Sequence, residues 1–116
     1  MMKIRKTYLE INPELLYAEI RDFTEKQGVS LGENKLETYT IPDESASFVA
    51  RSTLTFNIRD DKNKSAKECL RVHIVGNSRG ETKLMMDVDE KLFPQDKLTT
   101  LQEDIDFIFG SFEVQQ

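Results

Sequence analysis

Between Ser47 and Arg59 the chain alternates residue by residue. Phe48, Ala50, Ser52, Leu54, Phe56 and Ile58 fall on one side, and Val49, Arg51, Thr53, Thr55, Asn57 and Arg59 on the other. A period of two predicts a strand with one wet face, and such a strand belongs to an antiparallel sheet whose other face is covered by helices. Residues 67–76 and 81–89 repeat the pattern as a hairpin. If Leu70, Val72 and Ile74 share a face with Leu84, Met86 and Val88, then Ile74 opposes Leu84, Val72 opposes Met86, and Ser78-Arg79-Gly80 is left as a three-residue loop. Loops of that length want glycine in a left-handed conformation at their last position, which Gly80 supplies. The same register sets Arg71 opposite Asp87 and His73 opposite Met85 on the outer face. Pairing Val72 with Leu54 of the preceding strand sets Arg51 opposite Val75.

The remaining elements follow from weaker signals. Residues 3–11 alternate loosely, with Thr7, Leu9 and Ile11 on one side and Ile4 leaving the register open at the start. Asn12-Pro13-Glu14 is a helix start, because asparagine caps free N–H groups and proline suits the first helical position. Leu16, Ile20 and Phe23 mark that helix's buried stripe, and Gly28 ends it. Residues 29–41 form a second strand, broken near Gly32 and resumed at Lys35; Leu36, Thr38 and Thr40 compete with Tyr39 and Ile41 for its inward face. Pro42-Asp43-Glu44-Ser45 reads as a turn, and Asp60 to Ser65 as a solvated loop in which Asn63-Lys64-Ser65 matches a glycosylation sequon. From Pro94 to Phe112, the apolar residues Leu98, Leu101, Ile105, Ile108 (with Phe109) and Phe112 step by three and four, predicting an amphipathic helix that closes the core.

The expectation is one α+β domain over residues 1–116, in the order β-α-β-β-β-β-α, with a curved antiparallel sheet and both helices on one face. By this order, and by the long helix from Pro94 to Phe112, the chain resembles the helix-grip or TBP-like arrangement shared by START and Bet v 1-like ligand carriers and by each half of the TATA-binding protein. The resemblance implies a fold and suggests a pocket between the last helix and the sheet. The phosphate-binding glycine loop of the plant carriers has no counterpart here, since Gly76 to Gly80 lies in a tight hairpin.

Length and composition narrow the functions. A chain of 116 residues supports one core without a separate active-site domain. The net charge of −5 disfavours a nucleic-acid binder that relies on overall charge, although residues 47–83 are basic and residues 84–116 acidic. Cys69 is the single cysteine, which excludes an internal disulfide. With no apolar run of signal-peptide or membrane-span length, this points to a cytoplasmic protein away from membranes.

Chemistry-bearing residues read mostly as surface. His73 is the one histidine, and on a strand it would lie about 13 Å from an outward Cys69, too far to share a metal. Asp87-Val88-Asp89-Glu90 lacks the layout of a calcium loop, and Glu103, Asp104 and Asp106 read as the wet side of the last helix. No catalytic residue, metal or cofactor is expected. The function expected is non-enzymatic: contact with a protein partner or self-association through Arg51, Thr53, Arg71, His73, Val75 and Met85 on the outer sheet face. The alternative is a carrier of a small apolar ligand, held under the last helix by Ala50, Ser52, Leu54, Val72, Met86, Leu101 and Ile105.

Overall fold

The computed structural model describes residues 1–40, 48–60 and 65–114. The turn at Pro42 to Ser45, the sequon asparagine and the loop residues Asp61 to Lys64 lie outside the described residues. In chain order the elements are β1 (Met2–Leu9), α1 (Pro13–Glu25), β2 (Ser30–Thr40), β3 (Phe48–Asp60), β4 (Ser65–Asn77), β5 (Glu81–Val88) and α2 (Gln95–Phe109), followed by a 3-10 turn, Gly110–Phe112. The five strands form one antiparallel sheet in the order β1-β5-β4-β3-β2. Two thirteen-residue strands span about 43 Å at the usual rise, which accounts for the elongated 53 × 28 × 22 Å envelope.

The hairpin has the register read from its sequence: Ile74 opposes Leu84, Val72 opposes Met86, Arg71 opposes Asp87 and His73 opposes Met85. Gly80 sits at φ +83, and its N–H donates to the Asn77 carbonyl. Leu54 opposes Val72 and Arg51 opposes Val75, as the alternation required. Both helices cover one face. Leu16, Ile20 and Phe23 of α1, with Leu98, Leu101, Ile105 and Phe109 of α2, are buried with the even-numbered residues of β3, β4 and β5 in one continuous apolar cluster.

A row of small residues seats the first turn of α1. Across the sheet, Thr82, Gly76, Ala50 and Thr38 oppose one another in sequence. The Thr82 hydroxyl donates to the Ile11 carbonyl at 2.9 Å, and the Asn12 side chain accepts from the Glu14 N–H at 2.7 Å. Pro13 follows at the first helical position, with its ring against Gly76. Just upstream, Glu10 has φ +63 and donates its N–H to Gly80, so the hairpin tip holds the connection that turns Ile11 inward.

Three expectations are corrected. In β1 the buried side chains are Ile4 and Tyr8, whereas Leu9 is exposed and Thr7 only half-buried. Ile11 is buried because the chain reverses at Glu10, outside the strand. In β4, Cys69 is buried and not outward, because it is the extra residue of a bulge. Phe56 pairs with Leu70 and Asn57 with Glu68, so Cys69 is skipped and its thiol donates to the Phe56 carbonyl. In the last helix Phe109 takes the buried position, while Ile108 and Phe112 remain exposed and Phe107 projects almost wholly into solvent.

Candidate functional site: the outer sheet face and the β2 edge

The six residues expected to form a partner surface fall together on the outer face. One row across the sheet runs Arg5, Met85, His73, Thr53, Lys35; the next runs Thr7, Lys83, Val75, Arg51, Glu37. Arg71 lies one step beyond His73 and places its guanidinium on the Glu68 carboxylate at 2.9 and 3.2 Å, a pairing that raises its pKa. The Thr53 hydroxyl lies 3.4 Å from His73 Nδ1. Arg51 and Met85 are exposed, and the other four are half-buried by their neighbours. The surface is therefore polar and mixed in charge, with the exposed Met85 thioether on β5, one strand in from the β1 edge.

The two edges of the sheet differ. At the end of β1 the chain covers its own edge: the Val114 N–H donates to the Thr7 carbonyl at 2.8 Å, and Tyr8 bridges to Glu113. Beside that bridge Lys6 lies beneath two acids, with Nζ 3.0 Å from Asp106 and 3.1 Å from Glu113. Burial lowers the Lys6 pKa, but the hydrogen bonds and charges of Asp106 and Glu113 outweigh it, and the net direction is up. Along β2 nothing comparable occurs among the described residues. From Gly32 to Thr40 every residue except Glu37 is exposed, including Leu36 at 46% and Tyr39 at 51%. Leu36 opposes Ser52 on the inner side and Tyr39 opposes Val49 on the outer side, so this edge carries an apolar group on each face.

From Asn34 onward β2 pairs regularly with β3. Its irregularity lies at Gly32 and Glu33, where two residues face the single Thr55, and the Thr55 hydroxyl accepts the displaced Glu33 N–H at 2.7 Å. Beyond it, Asn34 to Thr40 pair with β3 without interruption. Lys35 and Glu37, neighbours on the outer face, lie 3.5 Å apart. These edge residues were not among the sequence candidates. Their signal, a basic and an acidic residue placed symmetrically about Leu36, carries meaning only once β2 is known to be an edge.

The residues expected to hold an apolar ligand divide in two. Ser52, Leu54, Val72, Met86, Leu101 and Ile105 come together deep in the core, where the Ser52 hydroxyl has no hydrogen-bond partner. Ala50 instead lines an open groove of about 480 Å³ between the start of α1, the hairpin tip and the β2–β3 pair, with Pro13, Thr38, Phe48 and Asn77. Of the acidic candidates, Asp89 closes the turn into α2: its carboxylate accepts from the Lys91 N–H and its carbonyl from the Leu92 and Phe93 N–H groups. Among the described residues no group of three or more His, Cys, Asp or Glu side chains is arranged to hold a metal, and no helix is long and apolar enough to cross a membrane.

Two buried acids make stability depend on alkaline pH. Burial, reinforced by the charges of Asp89 and Glu68, pushes the Cys69 thiol up to about 11. Burial first, then Glu113 and Asp106, raises the Tyr8 hydroxyl well above its ordinary range. The native state favours both groups in their neutral forms. The Cys69 contribution is therefore complete below the unfolded value of 9.0 and is lost as pH climbs to about 11. Each group should cost about 1.4 kcal/mol per pH unit within its window. Denaturant midpoints at pH 8 and pH 10.5 should separate less for Cys69→Ala than for the unmodified protein. Equal separations would mean that the thiol is not shielded.

Compared with known proteins, the chain matches no family model and no curated sequence, so the functional reading rests on this geometry.

Proposed function

We propose that this domain works without catalysis, by contact with protein, and that the contact is made along the uncovered β2 edge and the outer face beside it. The observation that supports this is the contrast between the edges. A row of unpaired backbone N–H and C=O groups is a template for another strand, and proteins usually blunt it. Here residues 113–114 cover β1 at Thr7 and Tyr8, whereas among the described residues β2 is open over the nine residues from Gly32 to Thr40 and exposes Leu36 and Tyr39. Strand addition of this kind draws affinity from main-chain hydrogen bonds and specificity from alternate side chains. The order β1-β5-β4-β3-β2 also supports the helix-grip or TBP-like resemblance. The free Cys69 thiol supports a cytoplasmic setting.

A second reading, a carrier of a small apolar molecule, is favoured by the groove over Ala50, whose volume falls in the range of small-molecule sites. Native mass spectrometry separates the two. On the contact reading, the purified protein gives species containing more than one protein chain. Leu36→Asp reduces them about tenfold or more, while the unfolding free energy moves by no more than about 0.5 kcal/mol, as expected at a half-exposed site. Single chains retaining an apolar molecule, unaffected by Leu36→Asp, would replace the contact reading with the carrier.

A further inference from the structure

We infer that the protein paired with β2 is a second copy of this chain, its β2 running antiparallel about a two-fold axis at Leu36 so that the two sheets become one. The inference rests on the contact reading above and names its partner. In such a pair, opposed residues share a face of the joined sheet, so the axis must pass through a residue and each position meets one of equal parity. With the axis at Leu36, Lys35 faces the partner's Glu37 and Glu37 faces the partner's Lys35. Leu36 then meets its own copy on the inner face, and Asn34 meets Thr38.

The neighbouring registers are penalised by charge. An axis at Lys35 sets Lys35 against itself and Glu33 against Glu37, and an axis at Glu37 sets Glu37 against itself; like charges directly opposed are destabilising. Leu36 is thus the register in which the edge complements itself. Lys35 and Glu37 already lie together on the outer face, 3.5 Å apart. Pairing completes a ring of four alternating charges. The symmetric segment Asn34 to Thr38 lies within the regularly paired part of β2, clear of the bulge at Gly32 and Glu33. The half-exposed Leu36 loses its water against its copy, beside the buried row that begins at Ser52.

The test uses the full chain. Lys35→Glu and Glu37→Lys should each weaken dimerisation about tenfold or more, because two attractive pairs become two repulsive ones. An equimolar mixture of the two variants should recover a dimer containing one chain of each mass, read by native mass spectrometry. Circular dichroism spectra matching the parent's confirm that both variants are folded, since loss of the dimer by itself lowers the melting temperature. Oxidation should link Leu36→Cys chains covalently, since opposed Cα atoms at about 4.5–5.5 Å reach disulfide geometry. Thr38→Cys should stay unlinked, each cysteine lying about 13 Å from its copy by strand rise. Cys69 is buried and does not compete. Dimers indifferent to both charge reversals, or linked through Thr38→Cys and not Leu36→Cys, overturn this register and leave the contact reading standing. Single chains at every concentration, with a different protein still bound at β2, overturn the choice of partner alone. Single chains retaining an apolar molecule overturn both readings.

Discussion

Gly76→Val is expected to unseat the first turn of α1 and to destabilise the protein by about 1–3 kcal/mol, the usual range for overfilling a packed site. Gly76 stands on the inner face of β4, and a Cβ placed there would lie 2.2 Å from Pro13 Cγ and 2.9 Å from Pro13 Cβ. The obstacle is the ring of the first helical residue, which has no flexible end to swing away. Relief requires α1 to lift, and lifting it strains the 2.9 Å bond from the Thr82 hydroxyl to the Ile11 carbonyl. Urea unfolding should show a lower midpoint at an unchanged slope. A variant as stable as the parent would mean that α1 does not start on Gly76.

At the opposite helix, Ile105→Ala should cost about 2–5 kcal/mol, as a large-to-small change at a side chain with no exposed surface. Ile105 lies on the same buried stripe of α2 as Leu101 and Phe109, so the space it leaves cannot be filled by water without wetting apolar walls. Asp106→Ala, one residue on, removes an exposed partner of Lys6 and should cost no more than about 1 kcal/mol. Equal, small losses at both positions, measured by thermal or urea unfolding, would show that α2 is not docked against the sheet.

The parts of the fold that could be read from the sequence are those where burial acts on one face only. The β3 alternation and the β4–β5 register were legible because Leu54, Val72, Ile74, Leu84 and Met86 must all point one way, and Gly80 closes the loop only in that register. Where another force enters, alternation misleads. Lys6 occupies an inward position of β1 because Asp106 and Glu113, about a hundred residues away, neutralise it, and no local pattern announces them. Cys69 turns inward because one inserted residue in β4 shifts the faces beyond it; the adjacent buried pair Cys69-Leu70 is the only trace.

For the candidate site, the outer-face group from Arg51 to Met85 was legible as soon as the register was set. The β2 edge was not. Its two faces are both wet, so Leu36 and Tyr39 give contradictory periods, and the ambiguity met in the sequence is itself the signature of a strand that neither layer covers. The strand order, with β2 last, is what places the charges beside Leu36 on an edge.

The position of β1 also carries a kinetic consequence. β2, β3 and β4 are each paired with the strand next in the chain, but β1 reaches β5 by pairing Met2 with Val88 and Leu9 with Glu81. Closing so long a loop is the entropically slow step, whereas the four-strand meander assembles from neighbours. Until β1 arrives, β5 presents its whole length as a bare edge, which the finished molecule replaces with β1, covered at Thr7 and Tyr8. Prompt capture of β1, held by the 113–114 bridge and the Lys6 ion pairs, thus shortens the time for which β5 is open to a misplaced strand.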